Sequence, residues 1–419
     1  MEHYRPRLVD RTLTTALSTF GAVILQGPRA AGKTTTGQNA SASSVRLDSS
    51  PQMPTLAETS PQAILRGEVP RLIDEWQLAP TIWNAVRHEV DQRHGTGHFI
   101  LTGSATPSDD LTRHSGAGRF RRVTMRPMSL FESGESTAEV SLEGLLTGNG
   151  PAGFGGPSVE DYAALIVRGG WPELVNSPDA DPTDYLLSYL DDAARVDLRL
   201  ADERVDPVRM EALMHAVARN VSTEVAVPKL SEEAQLHSQH NASLSEKTAR
   251  KYLDAMERIF VLEEQPAWST HLRSKARLRV HPKWHFIDPS LATAALQASP
   301  DAVLNDLNTM GFLFESLAIR DLRIYADALR GRVSHYRDSN GLEVDAIVEL
   351  RDERWAAFEV KIGGEKNLNT AATNLLALQR KVSEKREEQL QGLFILTAGE
   401  MSYTRPDGVH VVSLGHLSP

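Results

Sequence analysis

The sequence contains no cysteine among its 419 residues, and this absence excludes disulfide bonds and thiolate metal ligands. It also contains no apolar run near the ~18 residues that a membrane-spanning helix requires. The first residues, MEHYRP, lack the apolar segment of a secretion signal. Together these absences predict a cytoplasmic protein without membrane association.

The balance of charge is acidic, with a formal net charge of −10 at pH 7. An acidic surface repels phosphates, so general coating of nucleic acid is excluded, although a local basic patch is not. Apolar residues make up 41% of the chain and charged residues 24%, which is typical of globular proteins. The length is sufficient for about three domains.

Residues 27–34 read GPRAAGKT and match the phosphate-binding pattern G-x-x-x-x-G-K-T. The apolar run 21–26 precedes the motif and a helix can start at Lys33, which places the motif between a buried strand and a helix. Glycines let successive backbone N–H groups face a phosphate, and the helix N-terminus adds partial positive charge. We expect Lys33 to reach the outer phosphates of ATP and the Thr34 hydroxyl to bind Mg²⁺. The predicted nucleotide-binding residues are Gly27, Pro28, Arg29, Ala30, Ala31, Gly32, Lys33, Thr34 and Thr35.

Two further apolar runs end in residues that suit phosphate chemistry. The run 69–76 ends in Asp74 and Glu75, about 40 positions after the phosphate-binding motif. In P-loop ATPases a strand-end Asp holds the Mg²⁺ shell, and a following Glu can polarise the attacking water. The run 99–104 ends in Ser104, whose hydroxyl could sense the terminal phosphate. These residues predict an ATP hydrolysis site.

The N-terminal third alternates short apolar runs with helical patterns, which predicts an α/β domain with a parallel sheet over residues 1–135. The last predicted strand of this domain, 119–127, begins with Arg119. An arginine there could complete the site of a neighbouring copy in a homo-oligomer and neutralise transition-state charge. A solvated surface arginine explains the same position equally well.

The middle of the chain predicts two segments. Residues 136–205 start as a linker or long loop rich in Gly, Ser, Glu and Pro and continue as a helical connector. Residues 206–290 carry three helical patterns followed by two strand-like runs, which suggests a winged-helix-like domain. The hairpin 271–285 is basic and could face DNA, or it could be a solvated hairpin that packs on a neighbouring domain.

The C-terminal segment, 291–419, carries a second set of charged residues in the pattern D-x(13)-E-x-K. Strand alternation places Glu359 and Lys361 on one face, and Asp345 on the adjacent strand can join them. Glu315, on a preceding helix, can be a fourth member. Such carboxylates bind Mg²⁺ or Mn²⁺, and the lysine can help to deprotonate an attacking water. The alternative is a metal-free cluster in which Lys361 forms an ion pair with Asp345 or Glu359.

The whole chain resembles a prokaryotic family of AAA+-type P-loop ATPases with a C-terminal restriction-endonuclease-like domain, of the PD-(D/E)xK type. The N-terminal segments that carry the resemblance are GPRAAGKTT at 27–35, LIDEWQ at 72–77 and FILTGSA at 99–105. The later segments are GGWPELV at 169–175, PKWHFIDPSL at 282–291, GFLFESL at 311–317, EVDAIVE at 343–349 and FEVK at 358–361. The resemblance implies an ATP-binding protein with a nuclease-like C-terminal fold.

Three functions are consistent with these residues. The first is an Mg²⁺-dependent ATPase whose nucleotide state switches the attached domains. The second is a DNA or RNA endonuclease that ATP licenses. The third is a non-enzymatic adaptor that binds ATP and holds a protein partner. Glu75 separates the first from the third, because a protein that only binds ATP does not need a water-activating carboxylate.

Overall fold

The computed structural model describes residues 4–105, 116–197, 206–237, 244–269 and 281–419. Contacts within the chain divide it into two units. Unit 1 comprises the described residues of Met1–Pro127, Asp192–Val205 and Leu253–Val261, and unit 2 those of Met128–Asp191, Asp206–Tyr252 and Leu262–Pro419. No helix within the described ranges is long and apolar enough to cross a membrane.

Unit 1 is built on a five-stranded sheet in the order β2-β3-β4-β1-β5, with every pair of neighbouring strands parallel. The strands are β1 (Ala22–Gln26), β2 (Ser43–Arg46), β3 (Arg71–Asp74), β4 (Phe99–Gly103) and β5 (Phe120–Thr124). The helices are α1 (Val9–Leu17), α2 (Lys33–Asn39), α3 (Gln52–Thr59), α4 (Pro61–Leu65) and α5 (Ile82–Arg93). The prediction of an α/β domain with a parallel sheet is therefore confirmed.

The central strand β1 is buried on both faces, which explains its unbroken apolar sequence. Ala22 and Ile24 point to a core that includes Trp76 and Trp83. Val23 and Leu25 point to a second core that includes Leu13 of α1. Helices cover both faces, so the carboxyl edge of the sheet is the place where loops can form a site.

Unit 2 contains the remaining elements. Its helices are α6 (Leu130–Ser133), α7 (Leu142–Leu145), α8 (Val159–Arg168), α9 (Pro172–Asn176), α10 (Pro182–Asp192), α11 (Pro207–Arg219), α12 (Val227–His237), α13 (Glu246–Arg258), α14 (Pro289–Ala295), α15 (Pro300–Asn305), α16 (Leu307–Ala328), α17 (Glu365–Gln379) and α18 (Glu384–Glu388). Its strands are β6 (Val140–Ser141), β7 (Gly153–Phe154), β8 (Leu262–Gln265), β9 (Lys283–Phe286), β10 (Arg332–Arg337), β11 (Glu343–Glu349), β12 (Trp355–Lys361), β13 (Leu390–Thr397), β14 (Met401–Thr404), β15 (His410–Ser413) and β16 (Leu417–Ser418). Two of these helices cross the division between units, since α13 begins in unit 2 and ends in unit 1, and the last residue of α10 belongs to unit 1.

The largest sheet of unit 2 has seven strands in the order β10-β11-β12-β13-β15-β14-β7. Strands β10 to β12 are antiparallel neighbours, whereas β12, β13 and β15 are parallel. The strand β7 pairs with β14, and β6 pairs with β16. The Gly- and Ser-rich stretch after residue 133, which the sequence predicts to be a linker or long loop, supplies two short strands to unit 2. Each has two residues, too few for alternation to reveal them.

A buried ion triad fastens the loops of unit 2. The guanidinium of Arg320 lies 2.8 Å from Asp288 and 2.7 Å from Asp321. Asp321 also accepts a hydrogen bond from the Leu130 N–H, and Asp288 accepts one from the Gly170 N–H, each at 3.0 Å. The Gly170 N–H belongs to the GGWPELV segment, so this segment is held by the buried Asp288 carboxylate that pairs with Arg320.

The middle elements follow the predicted order, with α11, α12 and α13 preceding the antiparallel pair β8–β9. Of the basic hairpin 271–285, residues 271–280 lie outside the described residues, and with them Arg273, Lys275, Arg277 and Arg279. Lys283 is described, and it is only 1% exposed. It therefore cannot contact DNA from a hairpin surface, which corrects that part of the expected nucleic-acid interface.

Candidate functional site

The loop between β1 and α2 has the backbone geometry of a phosphate cradle. Gly27 has φ +154°, and a Cβ there would meet the Met125 carbonyl oxygen at 2.0 Å. Gly32, at the N-cap of α2, has a left-handed φ of +96°. Only glycine fits the first position without displacing backbone, and it is the favoured residue at the second. Ala30 also has a positive φ, so the loop curls tightly in front of the α2 N-terminus.

Two side chains of this motif are directed toward its phosphate site. Lys33 is 6% exposed and its ammonium donates to the Pro28 carbonyl oxygen at 2.5 Å, folded over the loop. The Thr34 hydroxyl donates to Asp74 at the end of β3, at 2.9 Å to Oδ1 and 3.1 Å to Oδ2. The predicted Mg²⁺ pair, Thr34 and Asp74, is therefore brought together by parallel strands that end at one edge.

Asp74 is fully buried and receives hydrogen bonds mainly from neutral groups. Besides Thr34, the Thr102 hydroxyl of β4 donates to Asp74 Oδ1. The guanidinium of Arg46, on β2, lies 3.6 Å from Asp74 Oδ2 and is half-exposed. Thr102 was not among the predicted residues, although it precedes Ser104 by two positions on the same strand end. The strand-end hydroxyl that touches the acid is thus Thr102, and Ser104 lies farther out.

Glu75 occupies a left-handed backbone conformation, with φ +58° and ψ +43°, immediately after β3. This turn separates its side chain from that of Asp74. Burial raises the pKa of Glu75, while Lys33 and the Gln77 amide lower it. The Gln77 amide donates to Glu75 and also lies 3.3 Å from the Ser104 hydroxyl. Gln77 therefore links the two predicted catalytic residues, a role that sequence analysis did not assign.

The segment before α1 holds the loop in place. The Arg7 guanidinium is buried and donates to the carbonyl oxygens of Ala31 and Arg126, at 2.9 and 2.8 Å. The Tyr4 hydroxyl donates to Asp10 and lies 3.0 Å from the Thr36 hydroxyl on α2. No local sequence signal marks these contacts, because their partners are far along the chain.

Arg119 lies at the amino end of β5, where its carbonyl oxygen accepts a hydrogen bond from the Ala22 N–H. The phosphate cradle lies at the other end of the strands. The Arg119 guanidinium is exposed and pairs with Asp91 of α5 at 2.5 Å. Arg119 is therefore remote from the site of its own chain, and its action on a neighbouring copy stays a prediction.

The four predicted residues of the C-terminal cluster come together in unit 2. Lys361 lies 2.9 Å from Asp345 Oδ2 and 2.7 Å from Glu359 Oε2. The antiparallel register pairs Ala346 with Phe358, and the next step along the two strands sets Asp345 opposite Glu359. Glu315 projects from α16 into the same cluster, where it meets a fifth residue.

That fifth residue is Lys283, which sequence analysis assigned to the basic hairpin. Its ammonium lies 2.8 Å from Glu315, 2.9 Å from Glu343 and 3.5 Å from Asp345. The sequence does not predict the contact between Lys283 and Glu315, since the two residues are 32 positions apart and on different elements.

Burial and mutual charge set the protonation of this cluster. Burial and the Asp345 charge raise the pKa of Glu315 to about 7, against the lowering effect of Lys283. Burial and Asp345 likewise raise the pKa of Glu359. Burial alone would raise the pKa of Asp345, but Lys361 and Lys283 outweigh it and hold the pKa to about 2. The cluster therefore carries little net charge near neutral pH.

The two sites differ in how well they suit a divalent ion. Within the described ranges, no three His, Asp or Glu side chains are arranged to hold a metal. The nucleotide site does not need such a set, since Thr34, Asp74, water and phosphate oxygens can supply the ligands of Mg²⁺. The C-terminal carboxylates are oxygen donors, but lysines already occupy them, so they do not fit a second ion.

The strand order, the glycine-lined loop before α2 and the Thr34–Asp74 pair have the arrangement of a P-loop nucleotide-binding site. Residues 19–133 match the family model described as an AAA domain. Residues 159–302 and 310–417 match two models described as domains of unknown function, DUF8612 and DUF4143.

Among solved structures, the chain is similar to the Walker-type ATPase PABY2304 of Pyrococcus abyssi, with 13% sequence identity and a TM-score of 0.40. That likeness covers 68% of this chain and 94% of the other. No curated protein matches the sequence.

Proposed function

We propose that this protein is an Mg²⁺-dependent ATPase whose nucleotide state controls its attached domains. The observation that carries the proposal is the Thr34–Asp74 pair, set between the buried Lys33 and the carboxylate of Glu75. A protein that only bound ATP would need the cradle and Lys33. Glu75, held in a left-handed turn beside that pair, is the additional group that hydrolysis needs.

Each residue has a separate part in the proposed reaction. The backbone N–H groups of 27–35 bind the phosphates, and Lys33 leaves its contact with Pro28 to pair with the outer ones. Thr34 and Asp74 would hold Mg²⁺, whose chemistry there would be to neutralise charge on those phosphates. Glu75 orients the attacking water and accepts its proton. Gln77 orients the Glu75 carboxylate and the Ser104 hydroxyl relative to each other.

The connectivity of the chain supports control of the attached domains. Helix α13 starts in unit 2 and its last residues belong to unit 1. We therefore propose that hydrolysis in unit 1 alters α13, which belongs to the proposed winged-helix-like segment. Hydrogen exchange at the amides of α13 should differ between the ATP- and ADP-bound chain. Identical exchange in the two states would contradict this coupling.

The decisive experiment for hydrolysis is a pair of variants. Glu75→Gln should keep ATP binding but lower kcat about 100-fold or more, because only proton acceptance is removed. Lys33→Met should lose ATP binding as well as turnover. Nucleotide affinity by calorimetry and phosphate release by a coupled assay give the two readouts.

Normal turnover in Glu75→Gln would show that Glu75 is not the base. Wild-type protein that binds ATP and Mg²⁺ tightly but never releases phosphate would instead be an adaptor.

A further inference from the structure

The C-terminal cluster has a cation of its own. Four carboxylates converge there from three elements, Glu315 on α16, Glu343 and Asp345 on β11, and Glu359 on β12. A divalent ion held by such a set would be surrounded by oxygens from at least two elements. In this chain the point between α16 and β11 is occupied by the ammonium of Lys283.

The Lys283 ammonium lies among the oxygens of three carboxylates. An ammonium has three N–H donors, and Lys283 has one carboxylate oxygen from each of three residues within 3.5 Å. Two of these separations, to Glu315 and Glu343, are 2.8 and 2.9 Å and are charge-assisted hydrogen-bond distances. The Lys283 ammonium is therefore the cation on which these three carboxylates converge.

Lys283 cannot easily swing out of this position. Its side chain is 2% exposed, and its strand is fixed on both sides. The backbone pairs with Gln265 of β8 on one side and bridges to Glu224 on the other. The following residues Trp284 and Phe286 are buried. Removal of the ammonium would leave the buried Glu315 without its ion-pair partner, which is costly.

The remaining oxygens of the central acids are also engaged. Asp345 Oδ2 accepts from Lys361 and from the Val360 N–H, each at 2.9 Å. Glu359 Oε2 is 2.7 Å from Lys361, and its Oε1 accepts from the Asn374 amide at 3.1 Å. A metal ion would have to displace two lysines and break these hydrogen bonds.

We infer that Lys283 takes the place of a divalent metal in this cluster, so that the nuclease-like domain is a metal-independent module and does not hydrolyse phosphodiesters through bound Mg²⁺ or Mn²⁺. The lysine ties α16 to β11 as a metal would, but it supplies no Lewis acid and activates no water. This inference is independent of ATP hydrolysis in unit 1, and either can fail alone.

The first test measures Mn²⁺ binding to the full-length chain without nucleotide. An Asp74→Asn background removes the acid of the P-loop site from the measurement. Calorimetry and water-proton relaxation should detect no Mn²⁺ site that depends on Asp345. One Mn²⁺ bound per chain in the presence of Lys283, and lost on Asp345→Asn, would overturn the inference.

The second test removes the lysine in the same background. Lys283→Met should gain an Mn²⁺ site, seen as an Mn²⁺-dependent rise in melting temperature that a further Asp345→Asn change abolishes. The matched control is Lys366→Met, the same change at an exposed lysine of α17, which should gain no such response. If Lys283→Met folds and gains no response to Mn²⁺, the lysine is not what occupies the metal position. If it does not fold, the first test alone decides.

Discussion

The two charged sites of this protein use buried lysines in opposite ways. In unit 1, Lys33 donates to a neutral carbonyl oxygen of its own loop, and Asp74 accepts from the hydroxyls of Thr34 and Thr102. In unit 2, Lys283 lies within 3.5 Å of three carboxylates, and Asp345 meets two ammonium groups. A lysine that donates to a loop carbonyl oxygen can be transferred to a phosphate. A lysine surrounded by carboxylates stabilises the fold.

The same difference applies to the acids. Glu75 faces the loop and has one amide, that of Gln77, as its hydrogen-bond partner near Ser104. Glu359 has both oxygens engaged, by Lys361 and Asn374. A carboxylate that must accept a proton from water needs an oxygen that water can reach. Both residues are glutamates, so residue type alone does not distinguish their roles. Their hydrogen-bond partners do.

The strongest test of this contrast exchanges the same side chain in both sites. Lys283→Met should lower the free energy of unfolding by about 3–5 kcal/mol, because the buried Glu315 loses its ion-pair partner. Lys33→Met should leave stability nearly unchanged while ATP binding is lost. Urea titrations and nucleotide calorimetry on both variants provide the comparison. The contrast fails if Lys283→Met is as stable as wild type, or if Lys33→Met is the less stable of the two.

Much of the nucleotide site could be predicted from the sequence because phosphate chemistry needs contiguous residues. The loop 27–34 is one strand–turn–helix unit, and Asp74 follows directly on a buried apolar strand. The geometry of such a unit is determined by residues that are close together in the sequence. The α/β class, the parallel sheet of unit 1 and the alignment of Asp345, Glu359 and Lys361 follow from strand and helix periodicity.

What sequence analysis missed depends on contacts between distant segments. Arg7 reaches Ala31 and Arg126, and Lys283 reaches Glu315, without any fixed spacing between partners. The basic neighbours of Lys283 in sequence suggested a surface role, whereas tertiary packing buries it. The strands β6 and β7 were missed because two residues cannot show a period.

A pH titration sharpens the contrast further. The pKa of Glu315 is about 7 in the folded chain, compared with 4.5 for the free side chain. Folding therefore binds a proton between these values, and the free energy of unfolding should fall as pH rises from about 4.5 to 7. The groups that face Glu315 are Lys283, Asp345 and Lys361. The pKa of Asp345 is lowered, so its own contribution changes only below this window.

Glu315→Gln cannot titrate and should lose this component of the pH dependence. As pH rises from 4.5 to 8, the unfolding free energy of the variant minus that of wild type should increase by about 3 kcal/mol. This is the free energy that corresponds to the pKa difference. Urea titrations at several pH values measure the gap. Parallel profiles for the two proteins would mean that Glu315 does not titrate differently on folding.

The smallest expected effect concerns Gln77, whose amide is the hydrogen-bond partner of Glu75 in unit 1. Its amide holds Glu75 through one hydrogen bond to a charged group, an interaction of about 1.5–3 kcal/mol. Gln77→Ala should lower kcat about 10-fold with little change in KM for ATP, because Glu75 remains but is less well oriented.

The double variant with Glu75→Gln is the control. If Gln77 acts through Glu75, its removal should cost nothing further once that carboxylate is gone. An additional 10-fold loss in the double variant would mean that Gln77 acts on the nucleotide or on Ser104 instead, and that Glu75 is positioned by its own strained turn.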